Sequence, residues 1–426
     1  RKKAVEFTGL SLILGSYAFV SSDIPWPGHF ALLPVLGAYL MIVANQQSSF
    51  ITNNTFFQYL GKWSYSIYLW HWPVVVIGYY FDIQYWTLYG LPLSLIFGVI
   101  SFKLIENYRF PVYSNWIKIL KIKPIGIALL VCLLGFINRE TDGFYFHYSE
   151  EVLIANQEKT NRNPYNCMTG QKGEAKLNHC YIGNKDNIRA VVIGDSHADA
   201  LTTSVSSMFD LTSDGVIALT RASCPFILHH KNRINGLGCY DENFLRLKDV
   251  KNYQGVPIVL IGRWSAYVYG QSNPKRINKG DNRPSMYFGD ELFMSEIDIL
   301  DNYEQSLEET LCALSDTSPV VITQPTPEMR VNVPDMLSRK MIKGEDFDVH
   351  IQDKLYFERN HKIRNIISNT AKKCGAIIAD PYNYLCESGV CKGTKDSRPI
   401  YYDGDHMSEF GNKLLTPMFE NAFSKI

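Results

Sequence analysis

Apolar residues are distributed so unevenly along this chain that two different solvents have to be considered. Up to about Asn138 the sequence is dominated by Leu, Ile, Val, Phe, Trp and Tyr; beyond it the sequence reads as an ordinary soluble domain. Four apolar stretches, Ala4–Val20, Phe30–Ala44, Ser66–Phe81 and Trp86–Phe102, precede residue 110, and a fifth, Ile125–Ile137, follows a basic segment. Each is near or slightly under the ~20 residues that a spanning helix needs. Hydrocarbon offers no partner to backbone N–H and C=O groups, so helices are the expected structure there. A buried core helix is the competing reading, strongest for the short fifth stretch.

Charge gives the orientation. If the five stretches alternate, Arg1, Lys2, Lys3, Lys62, Lys103, Arg109, Lys118, Lys121 and Lys123 share one side, and the opposing loops Ser21–His29 and Asp82–Tyr85 hold no Lys or Arg. Basic loops stay cytoplasmic, so an odd number of crossings carries everything after Asn138 to the extracytoplasmic side. The chain opens on Arg1 without the charged start, short apolar core and small-residue cleavage site of a signal peptide. The expectation is a fragment of a longer protein. Its 42 Lys and Arg balance its 42 Asp and Glu, and no polybasic run argues for nucleic acid.

The cysteines bear on the compartment. Cys132 lies in the fifth apolar stretch, while Cys167, Cys180, Cys224, Cys239, Cys312, Cys374, Cys386 and Cys391 lie beyond it. An even set outside the cytoplasm reads as disulfides. Pairing of neighbours, Cys167–Cys180 and Cys386–Cys391, is the preferred connectivity. The absence of CxxC spacing argues against metal.

Past residue 190 the pattern alternates. Ala190–Ile193, Val216–Leu219, Ile258–Ile261, Val320–Thr323 and Ile377–Ala379 are strand candidates, separated by helical segments at Asp199–Phe209, Asn243–Val250, Asp301–Leu314 and Asp353–Lys373, with a last helix at Glu409–Phe423. Such alternation implies a mainly parallel sheet in an α/β three-layer, flavodoxin-like domain. Sites in these sheets lie at the carboxyl ends of the strands. There stands Gly194-Asp195-Ser196-His197, with Gly194 permitting the tight turn and Ser196 at a helix N-terminus. Near the chain's end stands Asp403-Gly404-Asp405-His406. A serine hydroxyl needs a base, an imidazole can serve, and a carboxylate can fix its tautomer. Each motif alone is also an ordinary cap or turn; their pairing carries the reading. His197 and Asp199 read as helix-start residues, His229 and His230 as solvated, and His71 as a structural histidine beside Trp70 and Trp72.

Two resemblances follow. GKWSYSIYLWHWP at Gly61–Pro73 and FKLIENYRFP at Phe102–Pro111 resemble late helices of the membrane-bound acyltransferase-3 family. GDS after the first strand and DxxH before the last helix resemble the SGNH hydrolase superfamily. Together they look like acyltransferase-3 proteins with an appended SGNH domain, the type of bacterial O-antigen O-acetyltransferases. The resemblance implies the last transmembrane helices of an acyltransferase-3 domain at 1–110, a cytoplasmic basic linker and additional transmembrane helix at 111–138, a periplasmic linker or lid at 139–189 and the SGNH domain at 190–426. It implies acetyl-CoA as donor to the membrane part, a surface polysaccharide as acceptor, and Ser196, His406 and Asp403 as nucleophile, base and orienter. No residue here is assigned to acyl-CoA. The sequence departs from the superfamily at Thr220–Pro225, which lacks the oxyanion Gly, and at Gly262-Arg263-Trp264, where Asn is usual. The expectation is an oxyanion hole shared by Ser196, the backbone near Ser223, and Arg263, with a structural ion pair as the alternative for Arg263; Trp264, Tyr267 and Tyr269 could form a sugar platform or pack. An acetylesterase and a domain that only positions glycan are the rival functions, because the choice between water and sugar depends on pocket shape.

Overall fold

The computed structural model describes residues 2–20, 28–50, 52–81, 83–107, 123–141, 143–170, 175, 177–233, 237–270, 284–289 and 295–426. The chain forms two compact units, Arg1–Tyr145 and Phe146–Ile426.

In the first unit the five apolar stretches all fall in helices: Lys2–Phe19, Leu32–Ala44, Thr55–Tyr80, Trp86–Ser101 and Lys123–Glu140. Among the described residues, only Trp86–Glu106 is both long and apolar enough to cross a bilayer. Charges at Lys2, Lys3 and Glu6 and at Lys123, Arg139 and Glu140 dilute the first and last helices, and His29–Ala44 is apolar but shorter. Large apolar side chains nevertheless point outward, Ile42, Leu129 and Leu133 among them, a surface that water disfavours. Helices Lys2–Phe19 and Leu32–Ala44 meet through small residues: a Cβ on Gly9 would lie 2.7 Å from the Gly37 carbonyl oxygen, the close approach typical of lipid-embedded pairs. Most of Ser21–His29, together with Asp82, Arg109, Pro111, Lys118 and Lys121, lies outside the described residues.

The second unit is built on a six-stranded sheet: β1 (Cys180–Gly183), β2 (Ile188–Gly194), β3 (Gly215–Thr220), β4 (Ile258–Ile261), β5 (Val320–Thr323) and β6 (Ile377–Ala379). Their order is β1-β3-β2-β4-β5-β6. All neighbours are parallel except β1, which runs antiparallel along β3. The five parallel strands therefore follow the flavodoxin order, whose switch point lies between β2 and β4. Successive residues of β2 feed opposite cores: Ala190 and Val192 pack with Leu201 and Phe419 on one face, Val191 and Ile193 with Leu307 and Ile367 on the other. Burial on both faces explains why these strands read as continuous apolar runs.

Two expectations change. The final helix is broken into Glu409–Lys413 and Thr416–Phe423, because Pro417 in the first turn of the second piece has no N–H to continue the ladder. The segment 139–189, expected as a linker or lid, carries helix Glu150–Gln157 and strand β1 among its described residues. Four disulfides, Cys167–Cys180, Cys224–Cys239, Cys312–Cys374 and Cys386–Cys391, use all eight cysteines of this unit, and Cys132 is free.

Candidate active site

The strand-to-helix turn after β2 is set by Gly194. Its φ is +152°, and a Cβ there would lie 1.8 Å from the Ile261 carbonyl oxygen at the end of β4. Asp195, fully buried, caps the helix that follows. Its Oδ1 accepts the His197 N–H at 2.8 Å, and its Oδ2 accepts the Arg263 N–H at 2.8 Å and the Tyr267 hydroxyl at 2.7 Å. One carboxylate thus ties the ends of β2 and β4 together at the switch point. Ser196 opens helix Ser196–Ser206 there, where the helix dipole favours developing negative charge.

The chain's last loop supplies the partner. His406 Nε2 lies 2.7 Å from Ser196 Oγ. On the other side of the ring, Nδ1 lies 2.8 Å from Asp403 Oδ2, while Asp403 Oδ1 accepts the backbone N–H groups of Asp405 and His406 at 2.9 and 2.8 Å. Asp405 stands equally close, its Oδ1 2.8 Å from Nδ1 and its Oδ2 2.7 Å from Arg263 Nη2. Burial alone would depress the imidazole; Asp405, and then Asp403, outweigh it and push His406 up to about 10. Burial would raise Asp405, but Arg263 and His406 hold it well below the usual carboxylate range. The ring itself is held between Tyr402, stacked at 5.1 Å, and His197 at 4.5 Å.

The structure thus brings Ser196, His406 and Asp403 together from two loops 210 residues apart. The remaining candidates are placed otherwise. Arg263 turns its guanidinium to carboxylates: Nε and Nη2 reach Glu328 at 2.9 and 3.0 Å, and Nη2 reaches Asp405. This is the ion pair that the sequence offered as the alternative to a share in the oxyanion hole. Glu328 is pulled down to about 2, since Arg263 and Arg359 outweigh the opposing effect of its burial. Trp264 is fully buried and donates from Nε1 to the Thr323 carbonyl at 2.8 Å, so it offers no face to a sugar; Tyr267 is buried likewise. Ser223 sits in a turn after β3 with φ +56°. The turn is tied to the site by the Arg221 N–H on the Gly194 carbonyl and is pinned by Cys224–Cys239. His230 is fully buried rather than solvated, and burial lowers it to about 4.

Asp405 is the residue that sequence reasoning passed over. It stood inside the motif, but nothing in the one-dimensional pattern says which of two aspartates faces the imidazole. His197, read as a helix-start residue, is buried against the ring, with Nε2 3.6 Å from Asp405. The ligand atoms of His197, Asp405 and His406 lie within 4.8 Å of one another, near enough to share a cation; Arg263 already pairs with Asp405, and Ser196 with His406.

Comparison with known proteins places the chain in a family. A family model described as the SGNH domain (fused to AT3 domains) matches residues 166–421. Two provisionally named O-acetyltransferases of Staphylococcus aureus are similar over part of their length. The one from strain MRSA252 is 26% identical over 144 residues, covering 29% of this chain and 24% of the relative. The one from strain COL is 30% identical over 153 residues, covering 32% and 25%. The chain therefore spans about a quarter of the length of these curated relatives. Among solved structures, the periplasmic domain of the lipopolysaccharide acetyltransferase of Salmonella ser. Paratyphi A is 18% identical with a TM-score of 0.45, covering 66% of this chain and 99% of that one. With more than half its residues matched by the family model, the chain belongs to the family of SGNH domains fused to AT3 domains.

Proposed function

We propose that this chain carries the acyl-transfer site of an O-acetyltransferase that modifies hydroxyls of a bacterial envelope glycan, such as the O-antigen of lipopolysaccharide. The observation that carries the reading is the 2.7 Å contact between Ser196 Oγ and His406 Nε2 at the switch point of the sheet. Ser196 attacks the acetyl carbonyl carbon while its proton passes to Nε2, and Asp403 holds Nδ1–H so that Nε2 faces the serine. The donor's leaving atom departs with the proton from His406, and the acetyl group stays on Ser196 as an ester. A glycan hydroxyl then gives its proton to His406 and attacks the ester, and the Ser196 oxygen leaves with the proton returned. The Ser196 N–H and the backbone of the turn at Ser223 form the oxyanion side.

In this reading the first unit belongs to a multi-pass acyltransferase-3 domain that delivers acetyl from cytoplasmic acetyl-CoA, and the second unit works in the periplasm. Four disulfides in the second unit and the outward apolar side chains of the first support that arrangement. Ser196→Ala in cells removes acetyl from the surface glycan, read by its intact mass; unchanged acetylation refutes the catalytic serine. Alkaline phosphatase fused after Asn138 is active, and an inactive fusion with a bright green fluorescent protein counterpart overturns the orientation.

A further inference from the structure

A cavity of about 420 Å³ opens in the second unit beside Glu328, a size within the ~300–1,000 Å³ of small-molecule sites. Its lining includes part of the segment that supports the catalytic loop. Glu328 and Arg330 line the cavity. Between and beyond them, the carbonyls of Met329 and Val331 press on Gly404, where an added Cβ would lie 3.0 and 2.8 Å away. The same segment receives the Tyr401 hydroxyl on the Pro327 carbonyl at 2.7 Å, and Val333 donates its N–H to the Asp403 carbonyl at 2.9 Å. The segment Pro327–Val331 therefore meets the catalytic loop through its carbonyls and lines the cavity through Glu328 and Arg330. Side chains connect them too, since Glu328 holds Arg263, which holds Asp405.

The lining defines the ligand. Glu296, Glu328 and Glu358 are matched by Arg330, Arg359 and Lys362, so the cavity has no net charge to attract a phosphate or a polycation. Lys362 and Glu296 are already paired at 3.0 Å. Tyr269 and Tyr356 add aromatic surface, and Ile351 and Leu355 are the aliphatic contribution. The floor is fixed: Tyr356 and Asn360 are almost fully buried, and Asn360 accepts from Ser265 at 2.6 Å and donates to the Tyr356 carbonyl at 2.8 Å. Balanced donors and acceptors around aromatic faces suit an uncharged ring with many hydroxyls, which exchanges hydrogen bonds around its edge and lays C–H groups on a tyrosine.

We propose that this cavity binds an uncharged sugar residue of the acceptor glycan, a short way along the chain from the hydroxyl that Ser196 acylates. The inference rests on the acceptor being a glycan, as proposed above. A polymer held at a second point presents its reacting hydroxyl at raised effective concentration.

The test uses the full chain in detergent with Ser196→Ala, titrated calorimetrically with envelope polysaccharide that has been isolated from cells carrying the gene and de-O-acetylated. Arg330→Ala combined with Glu358→Ala, both exposed residues of the lining, weakens binding at least about tenfold, with the thermal midpoint and circular dichroism unchanged. Undiminished affinity in that variant, or no binding by the parent chain, overturns the proposal. Turnover of p-nitrophenyl acetate by the Ser196-intact chain is scored separately. Polysaccharide bound through the cavity by a chain that never turns the ester over refutes the catalytic serine and leaves the cavity assignment standing.

Discussion

Two carboxylates stand 2.8 Å from the same imidazole nitrogen, and the structure assigns them unequal tasks. Asp403 Oδ1 is committed to two backbone N–H groups. In Asp403→Asn the amide oxygen stays with those donors, which turns the NH₂ toward His406 Nδ1. Nδ1 must then accept, Nε2 carries the proton, and the base faces Ser196 in the wrong tautomer. The expected loss in kcat is on the order of 10³- to 10⁴-fold, as the same change costs in the serine-protease triad. Asp405 acts chiefly through its charge. At an effective dielectric of about 20, its attraction for the imidazolium across this contact is about 6 kcal/mol at most. Arg263 on its other oxygen opposes much of that, leaving a net effect of about 1 to 2 pH units, or ~1.4 to 3 kcal/mol. The sign follows from the base being active only when neutral. With His406 raised to about 10, kcat/KM climbs with pH from neutrality toward that value. Asp405→Asn moves the climb to lower pH by about 1 to 2 units, so the neutral fraction of His406 at neutrality rises about 10- to 100-fold and activity there rises rather than falls, by less than that because the weaker base is also a poorer one. Hydrolysis of p-nitrophenyl acetate by the full chain, followed from about pH 6 to about pH 10, measures both. The reasoning is refuted if Asp405→Asn loses as much as Asp403→Asn, or if Asp403→Asn keeps more than about a tenth of the parent rate.

Further consequences are simpler. Gly194→Ala drives a methyl onto the Ile261 carbonyl at 1.8 Å and costs more than about 4 kcal/mol; limited proteolysis finds the second unit degraded, and parent-like resistance contradicts the backbone geometry. Cys312 and Cys374 are 62 residues apart and join helices Glu296–Ser315 and Asp353–Cys374. Replacing both with Ser lowers stability in urea by about 4 kcal/mol, and an unshifted midpoint rules out that bond as a constraint.

The sheet was legible because its strands are buried on both faces. Val320–Thr323 and Ile377–Ala379 read as uninterrupted apolar runs, and the structure places strands there with those bounds. Strand β1 was not legible. It is a four-residue edge whose only buried member is Ile182, so alternation has too little length to register. Helix Val333–Ile342 escaped for another reason: its start is signalled by the Asn332 side chain capping the Asp335 N–H, and a capping Asn looks the same as a turn Asn until the chain around it is placed. Ser196 and His406 could be found because glycine-flanked turns after strands and before terminal helices advertise exposed side chains. Arg263 could not be assigned, because Glu328 and Asp405, which decide its role, are 65 and 142 positions away in the sequence.

That Arg263 is an ion-pair residue changes how the site is held. A carboxylate beside the base is useful only if it does not itself lock the proton on. Asp405 alone would do so, since it adds a second negative charge at the same distance as Asp403. Arg263 offsets part of the charge of Asp405 through its other oxygen and is in turn fixed by Glu328 on two oxygens. Its backbone N–H is meanwhile held by Asp195, which also caps the helix of the nucleophile. The side chain that stands where the superfamily usually has an oxyanion asparagine therefore restrains the charge on the base, and its main chain restrains the turn that carries the serine. In the proposed mechanism oxyanion stabilisation then falls to backbone donors, and these keep their aim only while the Gly194 and Ser223 turns stay rigid. The site's rigidity follows from buried pairs that are costly to break singly: the charge network runs from His406, which touches Ser196, through Asp405, Arg263 and Glu328 to Arg359.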